Sequence, residues 1–326
     1  MSNTISLRTG DHLPAVGLGL WKVPENDCPA LVKAAVETGY RHFDCACDYG
    51  NEAAVGAGLQ QVLDGELCRR EDLWITSKLW NTFHRPEHVA LACRKSLVDL
   101  QVDHLDLYLM HFPIAQRHVP IDVRYPPGWF FDPAADSPQM ELDRVPLAET
   151  WGAMEQLREQ GLVRNIGVCN FGTAILRDLL NSAATPPAVL QVESHPYLTQ
   201  DKLLRFCQQE EIAYTAFSPF GAASYYELGM ADRSDSLLEH ATIQDVSASH
   251  GRTPAQVLLR WGVQRGTAVV PKTSRAERLR ENLAVFDFTL TDEQMNAIST
   301  LNQNRRYNDP GVFCEAAFNT FCPIYE

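Results

Sequence analysis

The sequence predicts an α/β protein: one (β/α)8 barrel of the TIM type over residues 1–326, with long active-site loops and a tail laid over the barrel mouth. Three observations carry this prediction. Eight short apolar runs recur along the chain, amphipathic helical stretches alternate with them, and two long segments break the rhythm.

The apolar runs lie at 15–21, 42–47, 73–79, 105–112, 166–171, 189–195, 213–220 and 267–272, each closed by polar or turn residues. Between them, apolar residues return at helical period over 28–39, 52–63, 86–100, 147–161, 173–181, 200–209 and 237–250. Strand–helix units of this kind, joined by right-handed crossovers, close into a barrel whose active site lies at the C-terminal ends of the strands. The exceptions are 113–146 and 302–326, neither of which has helical period. Trp129, Phe130, Phe131, Phe313, Phe318 and Phe321 make them too apolar for solvated linkers, so both are expected to fold over the mouth.

Composition narrows the function. Of 326 residues, 45% are hydrophobic and 21% charged, enough for a large core, and the formal charge of −13 gives no reason to approach nucleic acid or an anionic membrane. The first ten residues are polar and no stretch has the apolar length of a membrane span, so the expected compartment is the cytoplasm. Nine cysteines, an odd number, read as reduced thiols. Cys45-x-Cys47 lacks further ligands, and Pro86 interrupts the one HxxxH, from His84 to His88, so no metal site is expected.

Four polar residues fall where this architecture puts catalysis. Asp44 is in the second run, Tyr49 follows it, and Lys78 and His111 stand at the ends of the third and fourth. Singly, each has an ordinary explanation: a cap, a rim aromatic, a snorkelling lysine, a satisfied core histidine. Together they match carbonyl reduction, which needs a hydride at carbon and a proton at oxygen. A phenol donates poorly at neutral pH unless its anion is stabilised. The expectation is that Asp44 holds Lys78, the Lys78 cation lowers the Tyr49 pKa, and His111 orients the carbonyl.

The stretches Phe43-Asp44-Cys45-Ala46-Cys47-Asp48-Tyr49-Gly50-Asn51-Glu52, Ser77-Lys78-Leu79-Trp80-Asn81 and His111-Phe112-Pro113 resemble the aldo-keto reductase family. The resemblance runs to about residue 310 and implies the tetrad Asp44, Tyr49, Lys78 and His111, with Tyr49 as general acid. It also implies NADPH as cofactor, with NADH as an alternative. Cys169, Asn170 and Gln191 match positions that bind the nicotinamide amide, and Phe217 the ring stacked on nicotinamide. Cys169 replaces the family's usual Ser and Phe217 its usual Tyr. Ser218, Pro219 and Phe220 resemble the loop over the pyrophosphate. Lys272, Thr273 and Arg278 match contacts to the 2′-phosphate, while Glu281 and Asn282 match contacts to adenine. The local chemistry agrees, since Lys272, Arg275, Arg278 and Arg280 cluster where a helix opens, although Glu277 and Glu281 alternate with them as on a solvated face. The absence of GxGxxG after the first strand argues against a Rossmann site.

Within the family the xylose (aldose) reductases are most similar, on residues 46–52, 124–129, 195–200 and 307–310. This implies reduction of an aldose to its polyol, by a monomer or homodimer. Trp21, Trp80, Phe112 and Trp129 would form an apolar wall, and Asp48 and Asn308 would hydrogen-bond sugar hydroxyls. Glu227 matches a ribose contact used with NADH. Residues 311–326 depart from the family's shorter ending. The alternatives are a broad aldehyde reductase that clears reactive carbonyls and a cofactor-binding regulatory subunit. A sugar-phosphate reductase would need cations in the first lid, where Arg117, Arg124 and Arg144 are the ones available.

Overall fold

The computed structural model describes residues 3–326. A hairpin, β1 (Thr4–Ser6) and β2 (His12–Pro14), precedes eight parallel strands: β3 (Leu18–Gly19), β4 (His42–Asp44), β5 (Trp74–Leu79), β6 (Leu105–Met110), β7 (Val163–Cys169), β8 (Val189–Glu193), β9 (Ala213–Phe217) and β10 (Ala268–Val270). Each strand pairs with the next, and parallel bridges Val16–Val269 and Gly19–Lys272 join the first to the last, closing the barrel. At that seam a Cβ on Gly19 would lie 2.8 Å from the Val270 carbonyl, so the backbones can approach only because residue 19 is glycine. All eight predicted runs overlap a strand, that of 166–171 starting earlier, at Val163. The first is much shorter than its run.

Helices α1 (Cys28–Thr38), α2 (Glu52–Asp64), α3 (Pro86–Leu100), α4 (Leu147–Glu159), α5 (Thr173–Ser182), α6 (Asp201–Gln209), α7 (Ala241–His250) and α8 (Pro254–Gln264) follow in order. Then come α9 (Ala276–Leu283), α10 (Asp292–Ser299) and α11 (Pro310–Phe318). The helix expected from residue 237 starts at Ala241, because Leu237–Glu239 forms a separate 3-10 turn. α11 corrects the expectation of an irregular tail. Asp309 caps it, accepting from the Gly311 N–H at 2.8 Å, and Pro310 suits its first position; its sequence, with Glu315 as its one charged residue among apolar neighbours, shows no amphipathic period.

Strand parity places the chemistry. Phe43, Ile75, Leu79, Tyr108, Met110, Val168, Leu190, Val192 and Ala216 face the helices in the main core. Their neighbours Trp74, Leu107, Leu109, Cys169, Val189 and Ala213 fill the interior, and Leu7 and Leu13 from the hairpin join that cluster. Because side chains alternate, Asp44, Lys78, His111, Cys169, Gln191, Glu193 and Phe217 all have the inward parity, at or just past the strands' C-terminal ends.

The lids meet each other over this end. Trp129 of the first lid stacks on Phe318 at 5.4 Å and meets Phe313 edge-on at 5.3 Å. Two hydrogen bonds, Met140 N to Thr320 Oγ1 at 3.0 Å and Asn319 Nδ2 to Pro138 O at 2.9 Å, tie tail to lid.

Candidate active site

Lys78 is the centre of the site. Its side chain is 0% exposed, and its three N–H donors meet three acceptors: Asp44 Oδ2 at 2.9 Å, Cys45 O at 2.8 Å and Tyr49 Oη at 3.0 Å. The second Asp44 oxygen accepts from Gln191 Nε2 at 2.7 Å. Since Lys78 donates to the Tyr49 oxygen, the phenolic hydrogen is left for another acceptor. Tyr49 lies edge-on to His111, with ring centres 6.1 Å apart. His111 Nδ1 and Asp48 Oδ1 are 3.1 Å apart without hydrogen-bond alignment, and neither has another partner among the described residues.

The electrostatics correct one expectation. Burial pushes the Tyr49 phenol well above its ordinary pKa; the Lys78 ammonium opposes this but does not overcome it. Tyr49 is therefore held protonated, ready to donate, and the cation's effect is on the phenolate left behind. Lys78 moves the same way for another reason: burial lowers it, but Asp44 and then Tyr49 more than compensate, so the ammonium persists.

Asp44, Asp48, Tyr49 and His111 lie on the wall of a cavity of about 760 Å³. Trp21, Phe112, Trp129 and Asn308 line the same space, as do Phe313 and Phe318 from the tail. It continues past Cys169, Asn170, Gln191 and Phe217 to Ser218, Pro219, Phe220 and Lys272. Asn170 and Ser218, each one residue beyond a strand, take left-handed backbone conformations (φ +63° and +47°), the kind of local strain that collects at functional positions. Asn170 Nδ2 donates to His111 O at 2.9 Å, so this turn braces the histidine.

With that arrangement in view, a model of the aldo/keto reductase family matches residues 15–303. The chain belongs to this family. It is 47% identical over 309 residues to the probable NAD(P)H-dependent D-xylose reductase of Emericella nidulans, covering 94% of this chain and 96% of that one. It is 43% identical over 325 residues to the NAD(P)H-dependent D-xylose reductase of Kluyveromyces lactis, covering 98% and 99%. The solved aldose reductase of Schistosoma japonicum superposes with a TM-score of 0.87 at 37% identity, over 100% of this chain and 99% of that one.

In this aldo/keto reductase the other candidate residues divide by position. Trp80 stands behind the cavity wall: it is wholly buried, donates its indole N–H to Gly128 O at 3.1 Å, and meets Trp129 edge-on at 4.8 Å. It therefore supports the apolar wall from outside. At the rim Lys272 and Arg278 are exposed, while Thr273 and Asn282 are buried. Glu281 accepts a hydrogen bond from Thr253, which draws it towards α8. Exposed Glu227 lies 3.5 Å from Lys22 Nζ, which also donates to Ser224 O at 2.7 Å, so the loop after β9 meets the segment after β3.

Sequence reading passed over Glu193 and Tyr225, and gave His195 no role beyond its place in the matching stretch 195–200. Glu193 could have been found, since it repeats the inward parity of Gln191 two residues on. Tyr225, whose hydroxyl is 2.9 Å from Ser218 Oγ, sits in a loop with no periodic signal. All nine cysteines are free and eight are buried, so Cys45 and Cys47 read as packing residues.

Proposed function

We propose that this reductase converts an aldose such as xylose to its polyol, using NADPH and accepting NADH. The observation that carries the reading is the Asp44–Lys78–Tyr49 chain of hydrogen bonds ending on the cavity wall. The cradle fits a nicotinamide dinucleotide in its chemistry. Asn170 and Gln191 offer amides, Phe217 a ring face, Ser218 to Phe220 a loop, and Lys272 and Arg278 cations for a 2′-phosphate, with Thr273, Glu281 and Asn282 beside them. Cys169 is the weak member, being a poorer hydrogen-bond former than the serine it replaces. A reduced nicotinamide bound there supplies the hydride.

The protein's part is proton and position. Tyr49 gives its proton to the carbonyl oxygen, and Lys78, fixed by Asp44, stabilises the phenolate. His111 orients the carbonyl. Phe112, Trp21 and Trp129 exclude water, while Asp48 and Asn308, each with a buried Oδ1 that makes no hydrogen bond among the described residues, compensate a sugar for its lost hydration.

None of the three first-lid arginines lines the cavity where a sugar phosphate would sit, and Arg144 is exposed. Arg117 pairs with Glu141 at 2.8 Å, and Arg124 is spent on the carbonyls of Pro127, Phe130 and Phe131. The aromatic wall, extended by Phe313 and Phe318, favours a broad aldehyde reductase as the second reading. A panel of aldoses and small aldehydes, with NADPH and NADH oxidation followed spectrophotometrically, separates the two. Xylose turnover with saturation supports the first, and turnover confined to apolar aldehydes supports the second.

A further inference from the structure

Glu193 is a buried carboxylate outside the chemistry just described. It ends β8 with 0% exposure and does not line the cavity. Parity turns it to the same side as Gln191, one step nearer the mouth. There it meets donors from two other stretches of chain. Consecutive backbone N–H groups of the tail donate to it: Tyr307 at 3.0 Å to Oε1 and 3.2 Å to Oε2, and Asn308 at 2.7 Å to Oε2. His195 Nε2 lies 2.9 Å from Oε1. The carboxyl group thus gathers two backbone donors with a histidine ring nitrogen beside them, and the two tail amides have it as their anchor.

The anchored residues are those that matter for selection. Asn308 lines the cavity, its Oδ1 making no hydrogen bond among the described residues. The Tyr307 ring stacks on Tyr225 at 5.6 Å. Just before them, Arg305 forms a two-pronged ion pair with Asp235, both contacts 2.6 Å, which ties the tail to the loop after β9. Position 308 is therefore clamped from two sides, and only Glu193 holds its own backbone amide.

We propose that Glu193 is a positioning residue for substrate selection: it fixes the Tyr307–Asn308 backbone and so aims the Asn308 side chain at the sugar. The proposal rests on the reading of Asn308 as a hydroxyl-binding residue. Glu193→Gln is the discriminating change. It keeps the shape but sets an NH2 against a backbone N–H, so one anchor becomes a donor facing a donor.

Steady-state kinetics on the full chain with NADPH saturating, using xylose and a small aromatic aldehyde, test it beside Asn308→Ala. The expected result is a loss of roughly tenfold or more in kcat/KM for xylose, carried mainly by KM, with the aromatic aldehyde within about twofold and NADPH affinity unchanged. The double variant should discriminate no worse than Asn308→Ala alone, because both changes act through one side chain. Parallel losses on both substrates, no loss on xylose, or an additive double variant each overturn the proposal. If Asn308→Ala itself treats the two substrates alike, the sugar-pocket reading fails and the proposal falls with it; if it separates them and Glu193→Gln does not, only the proposal fails. Should Glu193→Gln not fold, Glu193→Asp, which keeps the charge but withdraws it by one methylene, is held to the same outcomes.

Discussion

The strand ends of β4 to β6 and the rim around them hold their charges in opposite ways. At the ends of β4 and β5 the protein satisfies its own, since every Lys78 donor and both Asp44 oxygens have protein partners, while His111 at the end of β6 keeps an Nδ1 without a hydrogen bond among the described residues. At the rim Lys272 and Arg278 are exposed, without an ion pair among the described residues, and near the lids Asp48 and Asn308 keep an Oδ1 that makes no hydrogen bond among them. Desolvation explains the difference. A buried ammonium without acceptors would lose its charge, so the acceptors around Lys78 have to be supplied by the fold itself. Exposed cations are paired by water and can wait for an anion. The first region is built to act, and the second to receive.

The contrast predicts where losses fall, and the largest should be at the strand ends. Tyr49→Phe removes the donated proton while keeping the ring, so kcat should drop by roughly two to four decades with NADPH binding retained. Near-normal turnover would mean that the assembled network is structural and that the acid lies elsewhere.

At the rim the expected losses are in binding. Arg278→Ala should weaken NADPH by about 1.5–3 kcal/mol, the range for hydrogen bonds to charged groups, and leave NADH nearly unchanged. Fluorescence titration with both cofactors checks this. Equal weakening would show that the cation serves the fold or the shared part of the cofactor. Near the lids, Asp48→Val should lower kcat/KM for xylose by roughly 5- to 150-fold, the worth of one or two hydrogen bonds, and spare a small aromatic aldehyde. A loss shared by both substrates would place Asp48 with the strand-end machinery, through its 3.1 Å approach to His111.

The same division governs what could be read from sequence. The strands were legible from their apolar runs, and the convergence of Asp44, Tyr49, Lys78 and His111 from their places at strand ends and from the motifs that carry the family resemblance; the two-residue period of the strands accounts for the inward turn of Asp44, Lys78 and His111. Trp80 was misread as cavity lining because sequence cannot tell one aromatic layer from the next. Glu193 was missed although it obeys parity, since its partners Tyr307 and Asn308 lie more than a hundred residues away. α11 was missed because its stability comes from packing on Trp129, a contact between lids, and not from its own short pattern. The Tyr49 pKa was expected to fall because the sequence announces the cation but not the depth of burial.

A self-contained charged wall should also cost stability, and Glu52 gives the smallest and most specific test. It opens α2 behind the tetrad, buried, accepting hydroxyl hydrogen bonds from Ser77 at 2.5 Å and Ser96 at 2.8 Å. Burial nevertheless pushes its carboxyl up to about 7, from an ordinary value of 4.5. Between those values the folded chain keeps a proton that the unfolded chain has released, so this group's contribution to stability falls as pH rises from about 4.5 to about 7 and is level beyond. Buried His42 and His84, both pushed down to about 4 by burial, slope the opposite way over about 4 to 6.5. They do so equally in parent and variant, and cancel in the difference. Glu52→Gln removes the carboxyl titration, so its Tm relative to the parent should climb through that window by roughly 2–6 °C and then hold steady. The change of slope is the readout, because altered bonding to Ser77 and Ser96 shifts the difference by the same amount at every pH. A Tm difference flat from pH 4.5 to 8 would show that the two serines and the helix N-terminus already accommodate the ionised carboxylate, and that the wall carries its charges without loss.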